Sequence, residues 1–122
     1  MLGHITTFGG HPVSCAAGKA AFEVLLNNNY VAEVKKKEEI LLNNIHHPSI
    51  ISKRTAGLWA SLEFDSFETN KKVIDRCIEK GLITDWFLFA PQCFRIAPPL
   101  IITEEELTHA CVLINEAIDE VV

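Results

Sequence analysis

The sequence predicts a small α+β domain, in which a mostly antiparallel sheet of three or four strands is covered by helices on one side. Three observations favour this class. Apolar residues recur at helical spacing in four segments, they alternate with polar residues in a shorter one, and the segments follow the order helix, helix, strand, strand, helix, strand, strand, helix. A chain of 122 residues is long enough to bury one core.

Composition and charge exclude several classes of protein. Hydrophobic residues make up 48% and charged residues 22%, which is typical of a globular domain. The net charge is −5 and no basic stripe exists, so we expect no nucleic-acid partner. The apolar runs are far shorter than the ~20 residues of a membrane span, and the start lacks the pattern of a secretion signal. With no C-x-x-C pair, the four cysteines indicate reduced thiols and a cytoplasmic location.

The first two helices follow a loop at residues 3–10 that is rich in glycine and hydroxyl groups. His11-Pro12 opens the first helix, because proline suits a position whose N–H needs no partner. We expect this helix to bury an apolar stripe, which consists of Ala17, Ala21, Val24 and Leu25. The second helix covers about 30–45 and carries charged i,i+4 pairs on a solvated face, namely Glu33 with Lys37 and Lys35 with Glu39. His46-His47-Pro48 closes it, and no further ligand lies nearby, so no metal site is expected.

Four strands and two more helices complete the predicted fold. Strands are expected at 50–53, 58–64, 82–87 and 93–97, with a turn near Ala90-Pro91 between the last two. The third helix starts at Asp65-Ser66 and stops at Gly81. Thr103 and Glu106 form a capping box, which starts the last helix. Cys77 and Cys111 fall on the apolar stripes of these two helices, where we expect them to be buried.

Two segments contain residues that suit chemistry as well as structure. Thr6-Thr7-Phe8-Gly9-Gly10 places two hydroxyls and a glycine pair before a helix start, which suits either an anion site or a tight turn that caps the helix. Arg95 stands in an otherwise apolar strand, where its charge needs a partner. The planar guanidinium group matches a carboxylate. That carboxylate belongs either to a substrate or to an internal acidic residue, and a solvent-facing position is the third reading.

Four segments together resemble the class III aminotransferases, which are pyridoxal-phosphate (PLP) enzymes of the acetylornithine, ornithine and 4-aminobutyrate group. Thr6–Pro12 is similar to the T-T-[FY]-G-G-N-P stretch of the family, and Ala56–Glu63 is similar to its G-L-M-x-x-x-E strand. Lys80–Thr84 resembles the x-G-L-L-T segment, and Phe94–Glu106 resembles R-x-x-P-P-L-x-I-T-x-E-E. All four occur in the family's order and span nearly the whole chain.

The resemblance implies the C-terminal part of a longer enzyme of PLP fold type I. It implies a single domain with a cofactor-phosphate loop at 1–12, helices at 13–46 and an α/β sandwich at 49–122. In this family the second threonine, here Thr7, contacts the cofactor phosphate in the active site of the neighbouring subunit of a homodimer, and Thr6 lines the same site. The arginine before the proline pair, here Arg95, binds the substrate α-carboxylate.

The implied reaction is a ping-pong transamination, in which an amino group passes from an amino acid or ω-amino donor to a 2-oxo acid such as 2-oxoglutarate. Acetylornithine, ornithine, 4-aminobutyrate and lysine remain open as donors. The family's Schiff-base lysine lies upstream of the threonine loop, and none of the eight lysines here matches its motif. We therefore expect no catalytic residue in this chain and no turnover by the chain alone.

One departure and two alternatives stand beside this interpretation. His11 replaces the family's asparagine, and histidine is a poorer helix cap. A free-standing α+β module that binds a small acid or a partner is the first alternative, because the capped helices and complete apolar stripes allow independent folding. A domain that serves dimerisation alone is the second.

Overall fold

The computed structural model describes residues 6–122, which form four helices and four strands in the predicted order. The expectations for loop residues 3–5 lie outside this part of the chain. The chain forms two compact units, of which the first ends at Val31 and the second covers Ala32–Val122. The elements are α1 (Pro12–Asn27), α2 (Tyr30–Asn44), β1 (Ser52–Ala56), β2 (Trp59–Glu63), α3 (Phe67–Glu79), β3 (Asp85–Phe87), β4 (Ala90–Ile96) and α4 (Glu104–Asp119).

The four strands form one antiparallel sheet in the order β1-β2-β4-β3. β1 and β2 make a hairpin whose two-residue loop is Gly57-Leu58, and the φ of Gly57 is 65°, which favours glycine. β2 and β4 are neighbours although α3 and β3 separate them in sequence. The predicted α+β class and its antiparallel sheet are confirmed.

The two faces of the sheet differ because successive side chains of a strand point to opposite sides. Ala60 and Leu62 on β2 and Phe94 and Ile96 on β4 are buried in the core. Helix α3 packs on β4, and α4 packs on α3. The alternate residues of β2 and β4 therefore point to the face away from this core, and these residues include Arg95.

The ends of α3 and α4 confirm the signals read from the sequence. The Ser66 side chain accepts a hydrogen bond from the Thr69 N–H at 3.1 Å, which caps α3. At the other end Gly81 has a φ of 87°, and the Leu82 N–H donates to the Cys77 carbonyl, so the helix ends in a Schellman motif. The capping box of α4 is present, and its hydrogen bonds lower the pKa of Glu106. Burial raises the pKa of the Cys77 and Cys111 thiols to about 11, as fits residues of the core.

The bounds of the four strands differ from the prediction, most clearly in β1, β3 and β4. β1 starts and ends later than predicted, since its partners in the hairpin are residues Trp59–Glu63. β3 is shorter because the Schellman motif occupies Leu82. The turn between β3 and β4 lies at Leu88-Phe89 rather than at Ala90-Pro91. Pro91 instead lies inside β4 beside a register shift, where its missing N–H leaves no gap in the ladder.

The prediction of a buried stripe on α1 is wrong. No residue of α1 is buried, and Val24 is exposed. Between residue 6 and Val31, the described part of the first compact unit, no strand is present that could cover the helix. Helical spacing predicts an apolar face but does not predict what covers that face.

Candidate functional site: a cationic cavity on the sheet

Four polar residues form one row across the face of the sheet that points away from the core. The register pairs Arg54 with Ser61, Ser61 with Arg95, and Arg95 with Asp85. Directly opposed residues of neighbouring strands point to the same face. The row therefore reads arginine, serine, arginine, aspartate from β1 to β3.

Arg95 is held loosely at its charged end and firmly at its backbone. Its Nη2 donates one hydrogen bond to Asp85 Oδ2 at 3.0 Å, and the two side chains remain 41% and 48% exposed. A guanidinium group has five N–H donors, so most of them are available to a ligand. The Thr84 hydroxyl donates to the Arg95 carbonyl at 2.6 Å, which fixes the strand at this point. The sequence left three environments open for Arg95: an internal acid, the solvent or a substrate. In the structure Arg95 pairs with an internal acid, Asp85, and is also partly exposed to solvent.

An open cavity of about 590 Å³ lies beside Arg95 on this face. Both arginines and Ser61 line it, and no aspartate or glutamate does. Trp59 and Phe87 stack at one side, with ring centroids 6.3 Å apart. The cavity thus offers positive charge and apolar walls, which suits a small organic anion.

Arg54 has no strong partner among the described residues. Its Nη2 contacts Cys93 Sγ at 3.8 Å, which is a weak interaction. Glu63 lies in the next row of the sheet, where it accepts a hydrogen bond from the Ser52 hydroxyl at 2.7 Å. That hydrogen bond, then one with the Gln92 side chain and last the charge of Arg54 lower the pKa of Glu63. The Arg54 guanidinium therefore remains available to an anion.

The loop after β4 is anchored by a residue that the sequence analysis placed in solvent. Lys37 pairs with Glu33 at 3.2 Å as predicted, but it is only 4% exposed, so a fully solvated face is wrong. Its Nζ donates to the Leu100 carbonyl at 2.9 Å. Lys37 thereby ties α2 to the Pro98-Pro99 segment that follows the Arg95 strand.

The threonine loop in the first compact unit has the features of an anion site. Thr6 and Thr7 are exposed, and a Cβ on Gly9 would clash with Thr6 Oγ1, so the turn has room for that hydroxyl only because residue 9 is glycine. His11 makes no capping hydrogen bond to α1, and no acidic residue occupies the first turn. Free N–H groups at a helix start attract phosphate. These residues fit a phosphate group.

Neither a metal centre nor a membrane span emerges from residues 6–122. Within that range no three histidine, cysteine or acidic side chains are grouped as a metal ion would need. The His46 ring contacts the Asn43 carbonyl, whereas the His47 ring contacts Ser49 and Asp119. The described helices are all too short or too polar to cross a membrane.

Nearly the whole chain matches a known protein family. The family model described as "Aminotransferase class-III" matches residues 1–118. The chain belongs to the class III aminotransferase family. An acetylornithine aminotransferase of Caldanaerobacter subterraneus subsp. tengcongensis is 29% identical over 123 residues, which are 97% of this chain and 30% of that protein. An ornithine aminotransferase of Emericella nidulans is 35% identical over 124 residues, 96% of this chain and 27% of that protein.

Solved aminotransferase structures share the fold described above. An aminotransferase from Bacillus anthracis matches 98% of this chain and 31% of its own with a TM-score of 0.86 and 25% identity. An engineered omega transaminase from Pseudomonas jessenii matches with a TM-score of 0.87 at 23% identity, which shows the fold alone. This class III aminotransferase chain spans less than a third of the length of these relatives.

Arg95 stands out in the sequence, whereas its neighbours Arg54 and Ser61 in the row do not. No sequence motif points to a chemical role for Arg54 or Ser61. They lie beside Arg95 only because the strands pair in this register. The alternation of Leu62 with Ser61 on a half-buried strand was the available signal for Ser61. For Arg54 the signal was weaker, because the predicted first strand ended at residue 53.

We predict that Asp85→Asn changes stability little. An exposed ion pair contributes about 0.2–1 kcal/mol, and an asparagine oxygen can still accept the hydrogen bond that the Trp86 N–H donates at 2.8 Å. Urea unfolding should show that the free energy of unfolding falls by about 1 kcal/mol or less. The control is Asp75→Asn, which breaks the exposed Lys71–Asp75 pair on α3 and should lower the free energy of unfolding by a similar amount. A loss well above 2 kcal/mol for Asp85→Asn alone would show that Arg95 is locked to Asp85.

Proposed function

We propose that this chain is the C-terminal segment of a PLP-dependent aminotransferase, which transfers an amino group from an amino acid or ω-amino donor to a 2-oxo acid. The observation that carries the proposal is Arg95, which keeps most of its donors free beside an open cationic cavity in a class III chain. The names of the relatives favour acetylornithine or ornithine as donor. The alternative of a free-standing module finds no support in the family match.

Arg95 binds the α-carboxylate of the substrate in this proposal. Two parallel N–H···O hydrogen bonds define both the position and the plane of a carboxylate. Because the Thr84 hydroxyl fixes the backbone and Asp85 contacts only one nitrogen, the guanidinium can turn from Asp85 to the ligand at small cost. A carboxylate held in this way orients the amino carbon, and orientation supplies a large part of a rate enhancement.

Thr7 and Thr6 bind the phosphate of PLP in a homodimer, where the loop serves the active site of the neighbouring subunit. The proposal is supported by exposed hydroxyls next to a helix start without a side-chain cap. His11 leaves the first N–H groups of α1 to the phosphate. When bound, PLP supplies an electron sink for the bonds of the substrate amino carbon.

The reactive lysine of the enzyme does not belong to this segment in our proposal. A catalytic amine needs a lowered pKa, which burial or a second cation provides. Here carboxylates raise the pKa of Lys80, through Glu120 and Glu116, and the pKa of Lys36, through Glu104. Lys53 donates to the carbonyls of Leu42 and Ile45. The cytoplasmic location, the homodimer and the division at 1–12, 13–46 and 49–122 stay predictions.

We predict that the 122-residue chain alone neither catalyses transamination nor attaches PLP to a lysine stoichiometrically. After incubation with PLP and borohydride, mass spectrometry should show only scattered modification below one group per chain. A complete enzyme of the family, treated in parallel, should carry one group on one lysine. One equivalent on a single lysine of this chain would contradict the prediction.

We predict that Arg95→Lys in the complete enzyme raises KM for substrates with an α-carboxylate. Lysine replaces the bidentate guanidinium with a point charge, and the lost charged hydrogen bond should raise KM about 10- to 100-fold. Steady-state kinetics with several amino acids measures the effect. Arg76→Lys is the matched control, because Arg76 is 40% exposed and pairs with Glu79 and Glu120 away from the cavity. Unchanged KM values for every substrate would assign Arg95 another role.

A further inference from the structure

We propose that Lys37 is a positioning residue for the reaction, which fixes the chain that follows Arg95 without touching the substrate. The inference rests on the proposed function, because it takes the binding of the substrate carboxylate at Arg95 from there. Lys37 acts through the backbone, since its helix lies on the other side of the sheet. Leu41 of α2 belongs to the core, whereas the Arg95 side chain points away from that core.

Lys37 is buried although it is the third of three consecutive lysines, and the other two are exposed. Lysine is almost never fully buried unless its ammonium group is paired. Here Nζ donates to the Leu100 carbonyl at 2.9 Å and lies 3.2 Å from the Glu33 carboxylate. Because a buried charge without such partners is costly, Lys37 and the loop at Leu100 hold each other in place.

The chain between Arg95 and Leu100 is short and stiff. It contains Pro98-Pro99, and a proline ring fixes φ of its own residue and restricts the residue before it. The turn that follows is closed by the Ile102 N–H, which donates to the Pro99 carbonyl at 3.0 Å. A shift of the Leu100 carbonyl is therefore transmitted to the C-terminal end of β4, where Arg95 lies, instead of being absorbed on the way.

The next residue of α2 holds the neighbouring strand at the same end of the sheet. Glu38 Oε1 accepts a hydrogen bond at 3.0 Å from the N–H of Gly57, at the tip of the β1–β2 hairpin. Ala60 near the start of β2 pairs with Ile96 at the end of β4, so the hairpin tip and the loop after β4 leave the sheet side by side. Because α2 holds both segments, Lys37 sets where the end of β4 lies relative to a second fixed point.

Two-point binding of a carboxylate is sensitive to small shifts of the backbone. Both hydrogen bonds form only when the donors lie within about 0.5 Å of their proper positions. Loss of the Lys37–Leu100 hydrogen bond therefore weakens the hold of Arg95 on the carboxylate in the ground state and in the transition state alike. Such a uniform loss raises KM and leaves kcat unchanged. The amino donor and the 2-oxo acid both carry this carboxylate, so both KM values rise together.

The test is Lys37→Met in the complete enzyme, because methionine keeps an unbranched side chain and removes the donor. Steady-state kinetics should show that both KM values rise about five- to tenfold, while kcat changes about twofold or less. Lys37→Arg retains a charged donor and should restore most of the affinity. Lys37→Gln has a neutral donor on a shorter side chain, so it should raise both KM values by a smaller factor, and it replaces Lys37→Met if that variant does not fold.

The matched control is Lys36→Met on the same helix. Lys36 is exposed and pairs with Glu104 at the start of α4. An exposed pair contributes little, and this one does not touch the loop carbonyl at Leu100. Both KM values should therefore stay unchanged in Lys36→Met. A rise equal to that of Lys37→Met would show that any lost lysine of α2 has this effect, and it would overturn the inference.

A double-mutant cycle separates this inference from the proposed function. If Lys37 acts through Arg95, Lys37→Met should raise KM much less in an enzyme that already carries Arg95→Lys. Full additivity of the two effects, or a lower Tm of Lys37→Met with unchanged KM values, would leave Lys37 as a stabilising contact only and refute the inference. The proposed role of Arg95 stands in both cases if Arg95→Lys alone raises KM. If Arg95→Lys alone leaves KM unchanged, the proposed function fails as well.

Discussion

An arginine in the middle of a sheet needs a counter-charge. How tightly that counter-charge holds Arg95 determines whether its guanidinium group can also bind a ligand. Its only described ion pair is one hydrogen bond to Asp85 at the open face. Because both side chains are about half exposed, water screens the pair and its strength is small. A buried pair would have fixed the guanidinium permanently. The exposed pair holds it in place and still allows exchange for another carboxylate.

The antiparallel register places two further polar side chains, Ser61 and Arg54, in one row with Arg95. Alternation along β2 and β4 places Leu62 and Phe94 in the core, so that Ser61 and Arg95 must point to the other face. The same register brings Arg54 into the row from β1. A one-residue slip would invert both faces at once. Packing of the core under the helices therefore also sets the geometry of the cationic row.

Much of this arrangement could be predicted from local signals in the sequence. The Thr103 capping box, the Gly81 stop and the order of the elements depend on neighbouring residues, and the structure confirms them. The features that the sequence did not predict depend on distant partners. Lys37 is buried where the Leu100 carbonyl, 63 positions along the chain, accepts its hydrogen bond. The α1 stripe is exposed because the described residues of its own unit offer no cover. Arg95 stood out as one charge in an apolar strand, whereas Arg54 and Ser61 depend on pairing across strands.

The most direct measurement of the central claim observes the Arg95 guanidinium itself. The chain has three arginines, Arg54, Arg76 and Arg95, so selective 15N labelling gives a simple spectrum of Nε–H groups. If Arg95 exchanges Asp85 for a ligand carboxylate, addition of 2-oxoglutarate should shift its signal in a saturable way and leave that of Arg76 in place. An Arg95 signal that does not move at any concentration of the acid would contradict the account.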